Sequence, residues 1–497
     1  MSELVQRSQA LDYSHEKALH SSPLYIKLQP LNNQTNPTIN LTSVYGPIQY
    51  VIPSKCCNLA ESVIQFDVLV PAQTAYAVVA ANMWTLFYRL TLIGQSTNTQ
   101  LMDLSPIDRF ASSLIPVATK DIDLDDQSTP FASALPSLVA TSAALGQATP
   151  VGAVSKNTSV TNLDGASNDT YCPYNGIRKF WVSASNTIGY FTVSMKFETL
   201  PFNILSLNKM MYFGSEQLEL NIYFNAVNRW CFNSTSQSAF GANPYNNTVG
   251  LSSATGSFVL NNIAIYLKTE QDADVISGLV NKAMTTGYSI NFAYPIITRQ
   301  NLSGSAQSIN TQLTRGYGKS VLFIGTSWYN ATTYATTGTA ASGFISQAET
   351  NNTAQDHSLS TLTNSGTYLG VTNSANSYVT AMTYQSQIDS INILTNNQYN
   401  VFLGEHWLYN RDNMKHSAVK GIYDYNIEFV HLDNFTGKPI CEIDQTVEDG
   451  LSLQDYRQHQ LAFTATAGGA GAPALNWYVT YVTQRTLNIS AQGMLVT

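Results

Sequence analysis

A period-two alternation of apolar and polar residues constrains this chain more than any other feature. In the segment 61–70, Ile64, Phe66, Val68 and Val70 fall on one face, with Gln65 and Asp67 on the other. The segment 83–93 aligns Trp84, Leu86, Tyr88, Leu90 and Leu92. Phe191, Val193, Met195 and Phe197 oppose Thr192, Ser194 and Lys196. Leu218, Leu220, Ile222 and Phe224 oppose Glu219 and Asn221. Side chains of a strand point alternately to opposite faces, so these segments predict antiparallel sheets with one buried face. Core faces are expected at Ile64, Phe66 and Val68, at Leu86, Tyr88 and Leu90, and at Leu218, Leu220 and Ile222. The second half continues the style, with strand candidates at 289–299, 313–328, 388–394, 423–432 and 477–489.

Two strands far apart look alike. Leu260-Asn261-Asn262-Ile263-Ala264-Ile265-Tyr266-Leu267 matches Leu475-Asn476-Trp477-Tyr478-Val479-Thr480-Tyr481-Val482 at its Leu, Asn and Tyr offsets. The first copy precedes a linker and the second lies near residue 497, which suggests a duplicated β architecture. The final strands of the two units are placed at 258–267 and 477–485. The linker, 269–284, begins with Glu270, Asp272 and Asp274 and carries the apolar stripe Val275, Ile276, Leu279 and Val280. That is a helix with acid at its positive end, stopped by Gly287. Other helices are few and short. Ser105-Pro106-Ile107-Asp108 reads as Ser N-cap and Pro in the first turn, with the helix running to about Leu114, and 201–211 holds a further turn or two.

Long loops rich in Ser, Thr, Asn, Ala and Gly are expected at 121–175, 234–256 and 329–384. Loops beyond about 15 residues are unusual in compact domains. Many short strands with large insertions fit a jelly roll better than an up-and-down barrel. The predicted fold is all-β: two tandem jelly-roll β-sandwich domains with long inserted loops and a few short helices. The expected boundaries are 1–40 for an N-terminal arm, 41–272 for the first jelly roll, 273–287 for a helical linker and 288–497 for the second jelly roll.

Composition narrows the function. Only 11% of the 497 residues are charged, while 44% are hydrophobic and Tyr occurs 28 times. A polar, nearly uncharged, Tyr-rich surface suits coverage by copies of itself, because interface cores are depleted in charge and enriched in aromatics. The net charge is −8 and no Lys/Arg run occurs, which argues against tight nucleic-acid binding. The five Cys (Cys56, Cys57, Cys172, Cys231, Cys441) form no CxxC pair, and reduced buried thiols are expected rather than a zinc module. No signal peptide and no apolar run long enough to span a membrane is visible. Asn-x-Ser/Thr sequons such as those at Asn40, Asn157, Asn233, Asn330 and Asn434 are expected by chance in such a composition.

No catalytic, cofactor-binding or metal-ligating residue is nominated. The loop 404–416 offers Glu405, His406, Asp412 and His416, but the two His are not at metal-ligand spacing and no HExxH pattern is present. The 121–126 turn (Asp121, Asp123, Asp125, Asp126) lacks the Gly and distal Glu of an EF-hand and reads as a solvated acidic turn. Gly316-Tyr317-Gly318-Lys319-Ser320 lacks the upstream Gly of a phosphate loop, and no GxSxG elbow occurs. A non-enzymatic protein is expected.

The run Tyr478-Val479-Thr480-Tyr481-Val482-Thr483-Gln484-Arg485-Thr486-Leu487-Asn488-Ile489-Ser490-Ala491-Gln492-Gly493-Met494 is similar to the last strand of large-DNA-virus capsid proteins. With its two β units, helical linker and tall polar loops, the chain resembles double jelly-roll major capsid proteins. That lineage includes adenovirus hexon, internal-membrane phages, virophages and polinton-like viruses. The resemblance implies a structural major capsid protein of a double-stranded DNA virus, working as a homotrimeric pseudo-hexagonal capsomer that tiles an icosahedral shell. Its partners would be itself, neighbouring capsomers, penton and minor capsid proteins, and in some members an internal membrane. It would be made in the host cytoplasm and reside in the virion. The alternative is a lectin-like carbohydrate-binding β protein or adhesin.

Overall fold

The alternation at 61–70 lies within the long strand β4 (Cys57–Val70), where Ile64, Phe66, Val68 and Val70 are buried and the residues between them half-buried. A computed structural model describes residues 23–31, 35–71, 76–79, 83–118, 180–183, 189–234, 249–250, 256–302, 307–313, 320–330, 379–388, 391–392, 399–400, 427–431, 451–452, 459–467 and 475–497. Around β4 a six-stranded sheet forms in the order β1 (Leu24–Leu28), β14 (Phe258–Thr269), β4, β10 (Met210–Met211). In the same sheet β2 (Thr38–Ile39) pairs with β14, and β9 (Gly189–Lys196) pairs with β4. The second sheet runs β3 (Tyr45–Ile52), β11 (Leu218–Phe224), β6 (Phe87–Gly94), β7 (Gln100–Leu104). A smaller sheet orders β13 (Val249–Gly250), β12 (Cys231–Ser234), β5 (Tyr76–Val79) and β8 (Phe180–Ser183).

The second half repeats the plan. One sheet runs β15 (Tyr288–Leu302), β24 (Leu475–Ser490), β17 (Ser320–Asn330), β21 (Ile427–His431), with β22 (Leu451–Ser452) on β17 and β25 (Gly493–Val496) on β24. The other runs β16 (Gln307–Leu313), β23 (His459–Ala467), β18 (Val379–Ile388), β19 (Ile391–Asn392), with β20 (Tyr399–Asn400) on β18. The fold is all-β, two tandem jelly rolls with a few short helices. The two look-alike strands hold equivalent places: β14 lies between β1 and β4, and β24 between β15 and β17. Each half therefore pairs its first strand with its last long strand, antiparallel, β1 with β14 and β15 with β24.

That pairing corrects one expectation. Residues 24–28 and 38–39, assigned to an N-terminal arm, are strands of the first sheet, bound along β14. Their pattern is too short and too exposed to show a period, and only the partner strand reveals them.

The core of the first jelly roll lies between its two main sheets. Phe66 of β4 meets Phe87 edge-on at 6.0 Å and Phe224 at 5.6 Å, and Trp84 lies 5.1 Å from Phe87. Such aromatic contacts add to simple area burial. Leu86, Leu90, Leu218, Leu220 and Ile222 are buried as expected, but Tyr88 is only half-buried. The chain enters through a 3-10 turn at Met83–Leu86 rather than a strand. Tyr223 then faces Arg89 while Phe224 faces Phe87, so Tyr88 is the extra residue of a bulge and Phe87 takes the inward place.

Helix α1 (Ile107–Ser113) is capped by Pro106 without a side-chain bond, so Ser105 is not the N-cap expected; α2 (Ile115–Ala118) follows directly. Expected turns in 201–211 are present as Ile204–Ser206, where Asn203 and Ser206 form a reciprocal capping box. Helix α3 (Ala273–Thr285) joins the halves. Asp272 Oδ1 accepts from the backbone N–H of Asp274 at 2.9 Å and of Val275 at 3.2 Å. Gly287 follows with φ +69°, and a Cβ there would come within 2.8 Å of the Ile489 carbonyl oxygen, so glycine is required by both conformation and space.

Candidate functional site

The described chemistry of this protein lies in the seam between the jelly rolls. Strands β10 and β7 are edge strands of the first jelly roll, and the residues at and beside them face the second. Ile290 and Phe292 of β15, Val482, Leu487 and Ile489 of β24 and Met494 of β25 are buried in one apolar cluster with the first-domain core. The two halves thus share a core. Removing that surface from water stabilises the joint at about 25 cal/mol per Å² of apolar area.

Polar contacts give the joint its register. Tyr288 Oη accepts from the Tyr212 N–H at 3.0 Å and donates to the Tyr212 carbonyl. Burial pushes the Tyr288 phenol up to about 12, against the lowering effect of its bond to Tyr212. Arg89 clasps Asp103 of β7 with two bonds of 2.7 and 2.6 Å. The hydroxyl of buried Tyr294 is bonded to the Asp103 backbone, and the Arg485 guanidinium stacks 3.7 Å from the Tyr294 ring centre. Cation–π contacts of this kind contribute about 0.5–2 kcal/mol as they lose water. Deeper in, Asp108 is fully buried on α1, 3.2 Å from Arg229 and 4.0 Å from Arg109, and Arg109 lies 5.8 Å from the ring centre of Tyr478 in β24.

A second set of contacts lies where β6 turns into β7. Glu216 Oε1 accepts from the N–H of Ser96 at 2.6 Å and of Thr97 at 3.1 Å, and its other oxygen accepts from the Ser96 hydroxyl. Thr99 Oγ1 in the same turn donates to the Met494 carbonyl at 3.2 Å, which ties the turn to β25.

The opposite flank exposes apolar side chains. It is built from the other two edge strands, β1 and β3, joined by the bond from Leu31 N–H to the Gln49 carbonyl at 2.8 Å. Leu24, Tyr25, Leu31 and Val44 are exposed there, at 45, 46, 57 and 40%.

The residues weighed for chemistry in the sequence fall elsewhere. The 404–416 loop, the 121–126 turn and 316–319 lie outside the described residues, as do Cys172 and Cys441 and the loop 121–175. The expected loops 234–256 and 329–384 overreach: residue 234 closes β12, 249–250 form β13, 329–330 close β17 and 379–384 belong to β18, polar segments that only their partner strands reveal as strand, and the remainder of each, apart from Gly256, lies outside the described residues. Cys56, Cys57 and Cys231 are buried free thiols. Burial, reinforced by nearby negative groups, pushes Cys56 up to about 11 and Cys57 up to about 12. Asn40 is exposed. Among the described residues no group of three or more His, Cys, Asp or Glu is placed to hold a metal ion, and no helix is long and apolar enough to cross a membrane. None of the seam residues was singled out by motif. Their signals in the sequence were the aromatic tail run, which holds Tyr478, Val482, Arg485, Leu487, Ile489 and Met494, Asp108 in the helix start and Gly287 after the linker helix.

No protein-family model matches the sequence, and no curated protein matches it. Solved structures do match in fold. PBCV-1 VP54, as fitted into a cryo-EM reconstruction of the virophage Sputnik, is 9% identical over 96% of this chain and 97% of that one, with a TM-score of 0.53. A chain of the quasi-atomic PBCV-1 virus capsid is 10% identical over 96% and 97%, also at 0.53. The mavirus major capsid protein covers 95% of this chain and 90% of its own at 8% identity, with a TM-score of 0.47.

Proposed function

We propose that this protein is the major capsid protein of a double-stranded DNA virus, acting as a homotrimeric pseudo-hexagonal capsomer that tiles an icosahedral shell. One observation carries the reading: the likeness to PBCV-1 VP54 runs through both jelly rolls and not through a single sandwich. A lectin-like binder needs one sandwich and a sugar-facing loop set; two sandwiches welded through a common core make a building block.

The flanks support a closed ring. In a ring of three chains every jelly roll has a neighbour on each side. The seam occupies the β7 and β10 flank of the first jelly roll. The β1 and β3 flank, with Leu24, Tyr25, Leu31 and Val44, is then left for the second jelly roll of the next copy. The segments 121–175 and 331–378 add contacts in this reading. Pentons, minor capsid proteins and, in a membrane-containing particle, the inner membrane would be further partners, and the virion its location, with no catalytic role.

Native mass spectrometry at nanomolar concentration, with negative-stain imaging, tests this. A trimer of hexagonal outline is expected, as is its dissociation by the double substitution Leu31→Asp, Val44→Asp. A folded monomer at that dilution, with the long loops protected from protease, overturns the reading and favours the lectin-like alternative.

A further inference from the structure

We infer that Glu216 is a carboxylate latch that seats the β24–β25 hairpin of the second jelly roll on the first, and that protonating it frees this hairpin while both sandwiches stay folded. The inference concerns the joint within one chain and does not depend on the capsid reading.

Glu216 lies between β10 and β11 and is only 3% exposed. Its carboxylate gathers two consecutive backbone N–H groups, Ser96 at 2.6 Å and Thr97 at 3.1 Å, together with the Ser96 hydroxyl and, weakly, the Thr97 hydroxyl at 3.4 Å. The 95–99 turn is otherwise closed by Gly94 N–H to the Thr99 carbonyl, and held to the loop by Gln95 N–H to the Gln217 carbonyl, both at 2.9 Å. One ionised group therefore holds two successive N–H groups of the turn.

That turn touches the hairpin on the side of the first jelly roll, while the 487–489 stretch is laddered to 288–290 of β15. Thr99 Oγ1 bonds the Met494 carbonyl. The Met494 methyl packs so closely over Gly94 that a Cβ there would lie 2.9 Å from it, and a Cβ on Gly493 would lie 3.2 Å from the Thr97 methyl. On the loop side, Ser54 Oγ donates to the Gly214 carbonyl at 2.6 Å, so the loop carrying Glu216 is anchored to the first jelly roll.

Protonation changes the donor count. A carboxylate accepts from all four donors at once; a carboxylic acid gives up one acceptor position and must donate from that oxygen, which only the Ser96 or Thr97 hydroxyl can receive by turning round, since the two backbone N–H groups can only donate. The charge-assisted bonds also fall to neutral strength, roughly half. Among the described residues the groups acting on the carboxylate are Ser96 and Thr97, both neutral, and β25 offers apolar Met494, so no described cation takes over the load. Burial by itself would raise the Glu216 carboxyl, but the bonds from Ser96 and Thr97 outweigh it and hold the group below its ordinary value. A carboxylate lowered in the folded state stabilises it above the unfolded value, about 4.3, and loses that contribution as pH falls through the lower folded value. The latch is closed at neutral and mildly acidic pH.

Hydrogen exchange by mass spectrometry on the full chain, corrected for the intrinsic rate at each pH, reads the hairpin (487–497) against β4 and β14. In the wild type, protection of the hairpin is expected to fall at least tenfold on acidification below the glutamate range while β4 and β14 remain protected. Glu216→Gln should show the fast-exchanging hairpin already at pH 7 and no further pH step. Hairpin and β4 losing protection together, a wild-type hairpin protected throughout while the fold survives, or a pH step that persists in Glu216→Gln would each overturn the latch. If Glu216→Gln does not fold, the wild-type titration alone decides between these outcomes.

Discussion

Phe66 shows how much of the first jelly roll rests on single side chains. It is buried at 1% exposure and touches Phe87 and Phe224 across the sandwich, so its loss opens a cavity that neither strand can close without breaking its ladder. Phe66→Ala is expected to lower stability by about 3–5 kcal/mol, read from the denaturant midpoint at unchanged slope. Asp108 and Arg229 present the opposite case. A buried ion pair is costly to desolvate, and its removal by half leaves an uncompensated charge. The pair lies beside Arg109, which faces Tyr478 of the other half, so charge and ring place α1 against β24.

Among elements, α3 is held more by its ends than by its face. Val275, Ile276, Leu279 and Val280 are half-buried and Ala283 alone is fully buried, so packing contributes less than the apolar stripe suggests. The Asp272 cap supplies two bonds and opposes the helix dipole. Asp272→Ala should cost about 1 kcal/mol and speed exchange of the amides of residues 274–276, with little change in β14. Protection at those amides equal to the wild type would show that tertiary packing holds the first turn. In β6, the bulge at Tyr88 reverses the alternation so that Phe87 and Leu90 both point inward, an outcome set by pairing with β11.

At the scale of the molecule, the shared core makes the two jelly rolls one body, and the β1–β3 flank exposes Leu24, Tyr25, Leu31 and Val44. Charge bears on nucleic-acid binding. With a net charge of −8 and no basic cluster in the sequence, the protein is expected to bind duplex DNA no more tightly than about 10⁻⁴–10⁻⁶ M at physiological salt. Fluorescence anisotropy with a labelled duplex checks this, and submicromolar binding that weakens steeply with salt would contradict it.

The sequence by itself determined what is local. Residues 61–70 and 218–224 alternate because a strand turns every second side chain inward, and the linker helix is legible because its acidic start and apolar stripe recur at helical spacing. The echo of 260–267 in 475–482 also marked strands that occupy equivalent places in two sheets. Tertiary structure decided what depends on partners. Strands β16, β18 and β23 are rich in Gln, Ser, Thr and Ala and carry little period, so their ladders with one another define them. Strands β1 and β2 exist because β14 offers them an open edge. Ser96 meets Glu216 within the first jelly roll, and the seam joins Thr99 to Met494 and Tyr212 to Tyr288, pairs 120, 395 and 76 residues apart. No periodicity or motif encodes such contacts, because a hydrogen bond acts over about 3 Å of space and is indifferent to distance along the chain.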